Sequence, residues 1–116
     1  MKVHIIGGGN LGVSIALGLT RFSKNNQITI TRRNTSSILY LEELGVTVSK
    51  DNKHQIQEAD VIILTIKPYQ VDTVLAEILP VISNKIIASG VSGLSIEMLQ
   101  TKIGESNSAI RIMPNI

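Results

Sequence analysis

The chain has 116 residues, 43% apolar and 17% charged, with a net charge of +2 and no cysteine. That is a globular composition of one-domain size, too weakly basic and too poor in aromatics (3%) for a nucleic-acid surface. Disulfides, thiolate metal sites and cysteine nucleophiles are excluded, a reducing cytoplasmic location without a signal peptide is expected, and these residues hold no membrane-length apolar run.

Lys2 to Ile6 reads as a short buried strand. The segment Asn10 to Phe22 reads as a helix, with Leu11, Ile15, Leu19 and Phe22 on one face and Ala16 and Gly18 allowing close packing. Asn25-Asn26 breaks it, and Gln27 to Thr31 is a β-branched second strand. A second helix is expected from a Thr35 or Ser36 cap, through Leu39, Leu41 and Leu44, to a stop at Gly45. Val46 to Val48 is a third strand, and Asp51 to Glu58 a polar loop or single turn. Asp60 to Ile66 is the most apolar run and predicts a central strand, closed by Lys67-Pro68. Gln70 to Leu79 predicts a helix, and Lys85 to Ala88 a fifth strand. Ser95 caps a further helix, and Ala109 to Met113 is a sixth strand. Strands alternating with helices predict a Rossmann-type, doubly wound parallel sheet in a three-layer α/β/α arrangement, one dinucleotide-binding domain over 1–116.

Gly7-Gly8-Gly9-Asn10-Leu11-Gly12 fits the G-x-G-x-x-G pattern between the first strand and first helix. Gly7 turns the chain out of the strand, Gly9 leaves the backbone open to a pyrophosphate, and Gly12 lets helix and strand pack closely. The helix amino terminus then faces the phosphates. NAD sites usually place a carboxylate near the end of the second strand. Here Thr31, Arg32, Arg33 and Asn34 stand there. Guanidinium groups suit a 2′-phosphate, so NADP(H) is the expected cofactor, with NAD(H) possible.

Lys67 follows the central strand at the edge where open α/β sheets bind ligands, and reads either as placing itself, or its backbone, beside the nicotinamide or as a surface lysine at a strand end. Asn52 follows the third strand and either reaches the adenosine side or serves as a turn residue. Ser89 and Ser92 flank Gly90 at a strand end, where they contact cofactor or make the turn. His4 reads as a buried, satisfied histidine and His54 as solvated. Metal-ligand spacing and a Ser-His-Asp arrangement are both lacking, so neither a metal site nor a catalytic residue is assigned.

"IIGGGNLG" at Ile5 to Gly12, "ADVIILTIKP" at Ala59 to Pro68, "VLAEI" at Val74 to Ile78, "ASGVS" at Ala88 to Ser92 and "RIMPN" at Arg111 to Asn115 run in one order along the chain. Together they resemble the amino-terminal domain of the pyrroline-5-carboxylate reductases. The resemblance implies NAD(P)H-dependent reduction of L-1-pyrroline-5-carboxylate to L-proline, in proline biosynthesis. By position, Gly7, Gly9, Asn10, Leu11 and Gly12 hold the pyrophosphate, and Arg32 and Arg33 meet the 2′-phosphate. Asn52 matches a cofactor-contacting asparagine. Ile66, Lys67 and Pro68 match the stretch lining the nicotinamide half. Ala88 and Ser89 match the next strand's contact, and Asn115 the mouth of the active site. The family usually reads Met-Pro-Asn-Thr-Pro, whereas Ile116 stands in the threonine position. The family's carboxy-terminal helical domain, which forms the dimer and most of the substrate site, is not among these 116 residues. By itself the chain is therefore expected to bind cofactor without turning over substrate, and the full-length protein to be a homo-oligomer. Another NADP-dependent oxidoreductase of the related Rossmann group, or a non-catalytic nucleotide-sensing domain, is the alternative reading.

Overall fold

The computed structural model describes residues 1–22 and 24–113. Six strands form one parallel sheet: β1 (Lys2–Ile6), β2 (Gln27–Thr31), β3 (Thr47–Ser49), β4 (Val61–Leu64), β5 (Ile86–Ser89) and β6 (Ser108–Arg111). Their spatial order is β3-β2-β1-β4-β5-β6, so the order reverses between β1 and β4. In register, Ile6 lies beside Thr31 on one flank and Leu64 on the other. The carboxyl ends of β1, β2 and β4 therefore finish level, and the crevice opens above them.

Among the described residues, three α-helices accompany the sheet: α1 (Asn10–Phe22), α2 (Val71–Ile78) and α3 (Ile96–Ile103). Apolar strand residues point alternately to two faces and build two cores. Ile6, Ile62, Leu64 and Ile87 pack with Val74, Leu75 and Ile78 of α2 and Leu99 of α3. Val3, Ile5, Ile28, Ile30 and Ile63 pack with Ala16 of α1 and with Ile38 and Leu41. The result is the expected three-layer arrangement.

Two expectations need correction. The segment after β2 is a 3₁₀ helix, Leu39–Leu44, not an α-helix, and neither Thr35 nor Ser36 caps it. Bonds from Ile38 N to Thr35 O and from Leu41 N to Ile38 O set a three-residue turn, which aligns Ile38 and Leu41 toward the sheet. Gly45, at φ +88°, ends it in the left-handed conformation, as expected. In α1 the fully buried residues are Gly12 and Ala16, while Phe22 is 91% exposed. The helix lies so close to the glycine loop that only small side chains fit beneath it. The larger ones straddle the contact, and Gly18 faces open space instead of packing.

Elsewhere strand and helix bounds shift by a few residues. Short 3₁₀ turns, Pro68–Gln70 and Leu79–Val81, flank α2. The Ser95 hydroxyl accepts from Met98 N at 3.1 Å, the predicted amino-terminal cap of α3.

Candidate functional site: a dinucleotide cleft at the strand carboxyl ends

The glycine loop connects β1 to α1 and forms the floor of a cleft of ≈ 1070 Å³. Each glycine meets a different constraint. Gly7 has φ +109°, and a Cβ there would stand 2.5 Å from the Thr65 carbonyl oxygen. A Cβ on Gly12 would collide with the carbonyl oxygen of Gly7. Gly9 is exposed on the cleft floor, and a Cβ there would meet nothing within 4 Å. Thus Gly7 and Gly12 are required by the fold, whereas at Gly9 the unoccupied side of the backbone belongs to the cleft.

The amino terminus of α1 completes the floor. Val13 N donates to Gly9 O at 3.0 Å, so the helical bonding begins there. The preceding first-turn amides have no intrahelical acceptor, and no acidic residue stands in that turn. The end of the helix therefore favours an anion.

Thr65 ties the loop to the central strand. Its hydroxyl lies 2.7 Å from Gly7 O and 3.1 Å from Ile6 O, and its backbone N donates to Ile6 O at 2.9 Å. It is a positioning residue that sequence reasoning missed. The signal was a lone hydroxyl interrupting the apolar run that ends in Ile66.

At the far end of β2, Arg32, Arg33 and Asn34 line the cleft, and Lys50 joins them from the loop after β3. Arg32 Nη1 donates to Gly8 O at 3.0 Å. A Cβ on Gly8 would lie 2.9 Å from Ile38 Cδ1 and 3.2 Å from Arg32 Cβ. The second glycine of the run, which the motif leaves unspecified, thus lies tightly under the arginine and isoleucine, whose side chains would have to shift to admit a Cβ.

Asn52 also lines the cleft. Its Oδ1 accepts from Thr31 Oγ1 at 2.6 Å, and its backbone carbonyl accepts from His4 Nε2 at 2.8 Å. His4 is 1% exposed, as expected of a buried, satisfied histidine. Burial pushes its imidazole down from 6.5 to about 4, against the opposing pull of the Asn52 carbonyl.

On the opposite wall, Ile66, Lys67 and Pro68 line the cleft together with Tyr69 and Gln70. Lys67 N donates to Gln70 Oε1 at 2.9 Å, and Gln70 N returns a bond to Lys67 O at 2.9 Å. This reciprocal pair fixes the backbone of Lys67 while its side chain stays exposed.

Of the residues expected in the site, Gly7, Gly9, Asn10, Leu11, Arg32, Arg33, Asn52, Ile66, Lys67 and Pro68 are brought together. Gly12 lies just behind, against Gly7. Ala88 and Ser89 do not line the cleft: both are 2% exposed within β5. Ser89 Oγ instead accepts from Val91 N at 3.1 Å, making the turn that brings Gly90 and Ser92 into the wall. Asn115 lies outside the described residues. Among the described residues no group of His, Asp and Glu could hold a metal ion, and no helix is long and apolar enough to cross a membrane.

A parallel sheet with this strand order, a glycine loop at the reversal point and a cationic strand end defines a dinucleotide-binding domain of the Rossmann class. The family described as NADP oxidoreductase, coenzyme F420-dependent, matches residues 2–93, and the chain belongs to it. Within that group the chain is similar to the pyrroline-5-carboxylate reductases along almost its whole length. Pyrroline-5-carboxylate reductase 1 of Dictyostelium discoideum is 38% identical over 116 residues, covering 97% of this chain and 21% of the relative. The pyrroline-5-carboxylate reductase structure from Coxiella burnetii superposes with a TM-score of 0.88 at 28% identity, covering 98% of this chain and 44% of that one. The Plasmodium falciparum pyrroline carboxylate reductase, solved with NADP bound, shares the fold with a TM-score of 0.81 at 23% identity, over 99% of this chain and 42% of that one. The chain thus spans less than half the length of each of these relatives.

Proposed function

We propose that the chain is the NADP(H)-binding domain of a pyrroline-5-carboxylate reductase, which reduces L-1-pyrroline-5-carboxylate to L-proline. The observation that carries the cofactor reading is the cleft itself. A helix amino terminus and an unhindered Gly9 stand at its floor, and Arg32, Arg33 and Lys50 line it with no carboxylate at the end of β2. These residues fit a dinucleotide with a phosphorylated adenosine ribose. The similarity to reductases of that name supports the choice of substrate.

The residues divide the work. The first-turn amides of α1 and the bare backbone of Gly9 bind the pyrophosphate. Arg33 and Lys50 meet the 2′-phosphate, with Arg32 between them and the glycine loop. Ile66 and the fixed backbone of Lys67-Pro68 orient the nicotinamide half. When bound, the reduced nicotinamide supplies the hydride for the carbon of the imine bond. The enzyme acts on a small molecule, in the cytoplasm, as a homo-oligomer, with no nucleic-acid or membrane partner. By the resemblance, most of its substrate-facing residues would lie outside these 116. NAD(H) is a weaker alternative cofactor.

The test is an assay of the natural protein that carries this chain, following loss of nicotinamide absorbance when L-1-pyrroline-5-carboxylate is added with NADPH. Turnover to proline is expected. A protein that binds NADPH but leaves this imine untouched would refute the substrate and keep the cofactor.

A further inference from the structure

His4 occupies a position in β1 where the neighbouring residues, Val3, Ile5 and Ile6, are all buried and apolar. Its register partners are Thr29 on β2 and Ile62 on β4. A polar ring at that depth is costly unless it makes a bond that the fold uses. Its Nε2 lies 2.8 Å from the Asn52 carbonyl oxygen. A carbonyl only accepts, so Nε2 carries the hydrogen and the tautomer is fixed. The ring is neutral at physiological pH, in keeping with its burial.

Asn52 sits in the loop after β3, outside the sheet, and its placement rests on two bonds that converge from neighbouring strands. His4 of β1 takes the backbone carbonyl and Thr31 of β2 takes Oδ1, at 2.8 and 2.6 Å. With Oδ1 occupied, the Asn52 amide has Nδ2 left to donate, and the residue lines the cleft with Arg32, Arg33 and Lys50.

We propose that His4 is a positioning residue for the adenosine end of the cofactor: its Nε2–H holds the Asn52 carbonyl so that the Asn52 Nδ2 group donates to the phosphorylated ribose. The proposal rests on the NADP(H) reading of the cleft. His4 touches no part of the ligand and acts through the loop.

The experiment compares wild type, His4→Phe and His4→Gln in binding three probes: NADPH, 2′,5′-ADP for the adenosine end, and reduced nicotinamide mononucleotide for the other. Phenylalanine keeps the ring and removes the donor, while glutamine returns an N–H at a similar reach. His4→Phe should weaken NADPH and 2′,5′-ADP by about tenfold, the scale of one lost hydrogen bond to a buried acceptor, and leave the mononucleotide unchanged. His4→Gln should recover most of that loss. Equal weakening of all three probes, or no recovery with glutamine, would reduce His4 to a general packing role and overturn the proposal. Wild type that binds neither NADPH nor 2′,5′-ADP would overturn the cofactor reading itself. Nitrogen NMR of the wild-type imidazole supplies a test that needs no variant: a proton on Nε2 is required, and a proton on Nδ1 alone refutes the bond.

Discussion

Lowering the pH should destabilise this protein through one buried ring. The His4 imidazole titrates at about 4 in the folded protein against 6.5 as its ordinary value. Burial is the main cause, the Asn52 carbonyl opposes it, His54 adds a small repulsion and Asp51 a small attraction. Between those two values the unfolded chain binds the proton and the folded chain does not. Stability is therefore fully present above 6.5 and is lost as the pH falls toward about 4, below which this group adds nothing more. The difference corresponds to about 3 kcal/mol at most, on the order of 10 °C in melting temperature for a domain of this size. Carboxylates titrate over part of the same range, so the informative quantity is the difference between two proteins. Urea unfolding of wild type and His4→Gln across that interval should give curves that converge as the pH falls, because glutamine does not titrate. Curves that stay parallel would show that His4 is not held neutral by burial, and the reasoning would fail.

Substitutions at the second and third motif glycines should separate folding from binding. Gly12→Ala drives a methyl group into the Gly7 carbonyl and should cost about 2–3 kcal/mol or more in thermal unfolding. Gly9→Ala meets nothing in the protein. It should melt like wild type yet lose NADPH affinity in a fluorescence titration. Thr65→Val removes the hydroxyl bonded to Ile6 O and Gly7 O and should destabilise the domain by about 1–2 kcal/mol in urea unfolding. Replacing Arg32 and Arg33 together with Ala should weaken NADPH much more than NADH. In the single variants, Arg33→Ala should act on NADPH alone, while Arg32→Ala should disturb both cofactors, because it also frees the Gly8 carbonyl.

The alternation of apolar runs with capped helical segments made the sheet and its layers legible, and Gly7, Gly9 and Gly12 located the cleft. Those signals are local: a strand end, a glycine spacing, a missing carboxylate. What escaped depends on residues far apart in the chain. The buried face of α1 is set by how closely the helix approaches the loop, so Gly12 and Ala16 are buried while Phe22, on the more apolar stripe, is exposed. The 3₁₀ geometry of Leu39–Leu44 answers to the placement of Ile38 and Leu41 over the sheet, not to helix propensity. Gly8 is constrained by Arg32 and Ile38, 24 and 30 positions away, which no motif records. Ser89 at its strand end reads as a cofactor contact or a turn residue, and the family resemblance favours the contact. The parallel pairing instead turns it inward and carries Gly90 and Ser92 to the cleft.

The most direct test of the central claim is a titration of the 116-residue chain with NADPH and, separately, NADH, followed by nicotinamide fluorescence. The cleft predicts saturable binding of both, tighter for NADPH through the proposed contact of Arg33 and Lys50 with the additional phosphate. Binding of neither, or equal affinity for the two, would contradict the assignment of this strand end as a 2′-phosphate site.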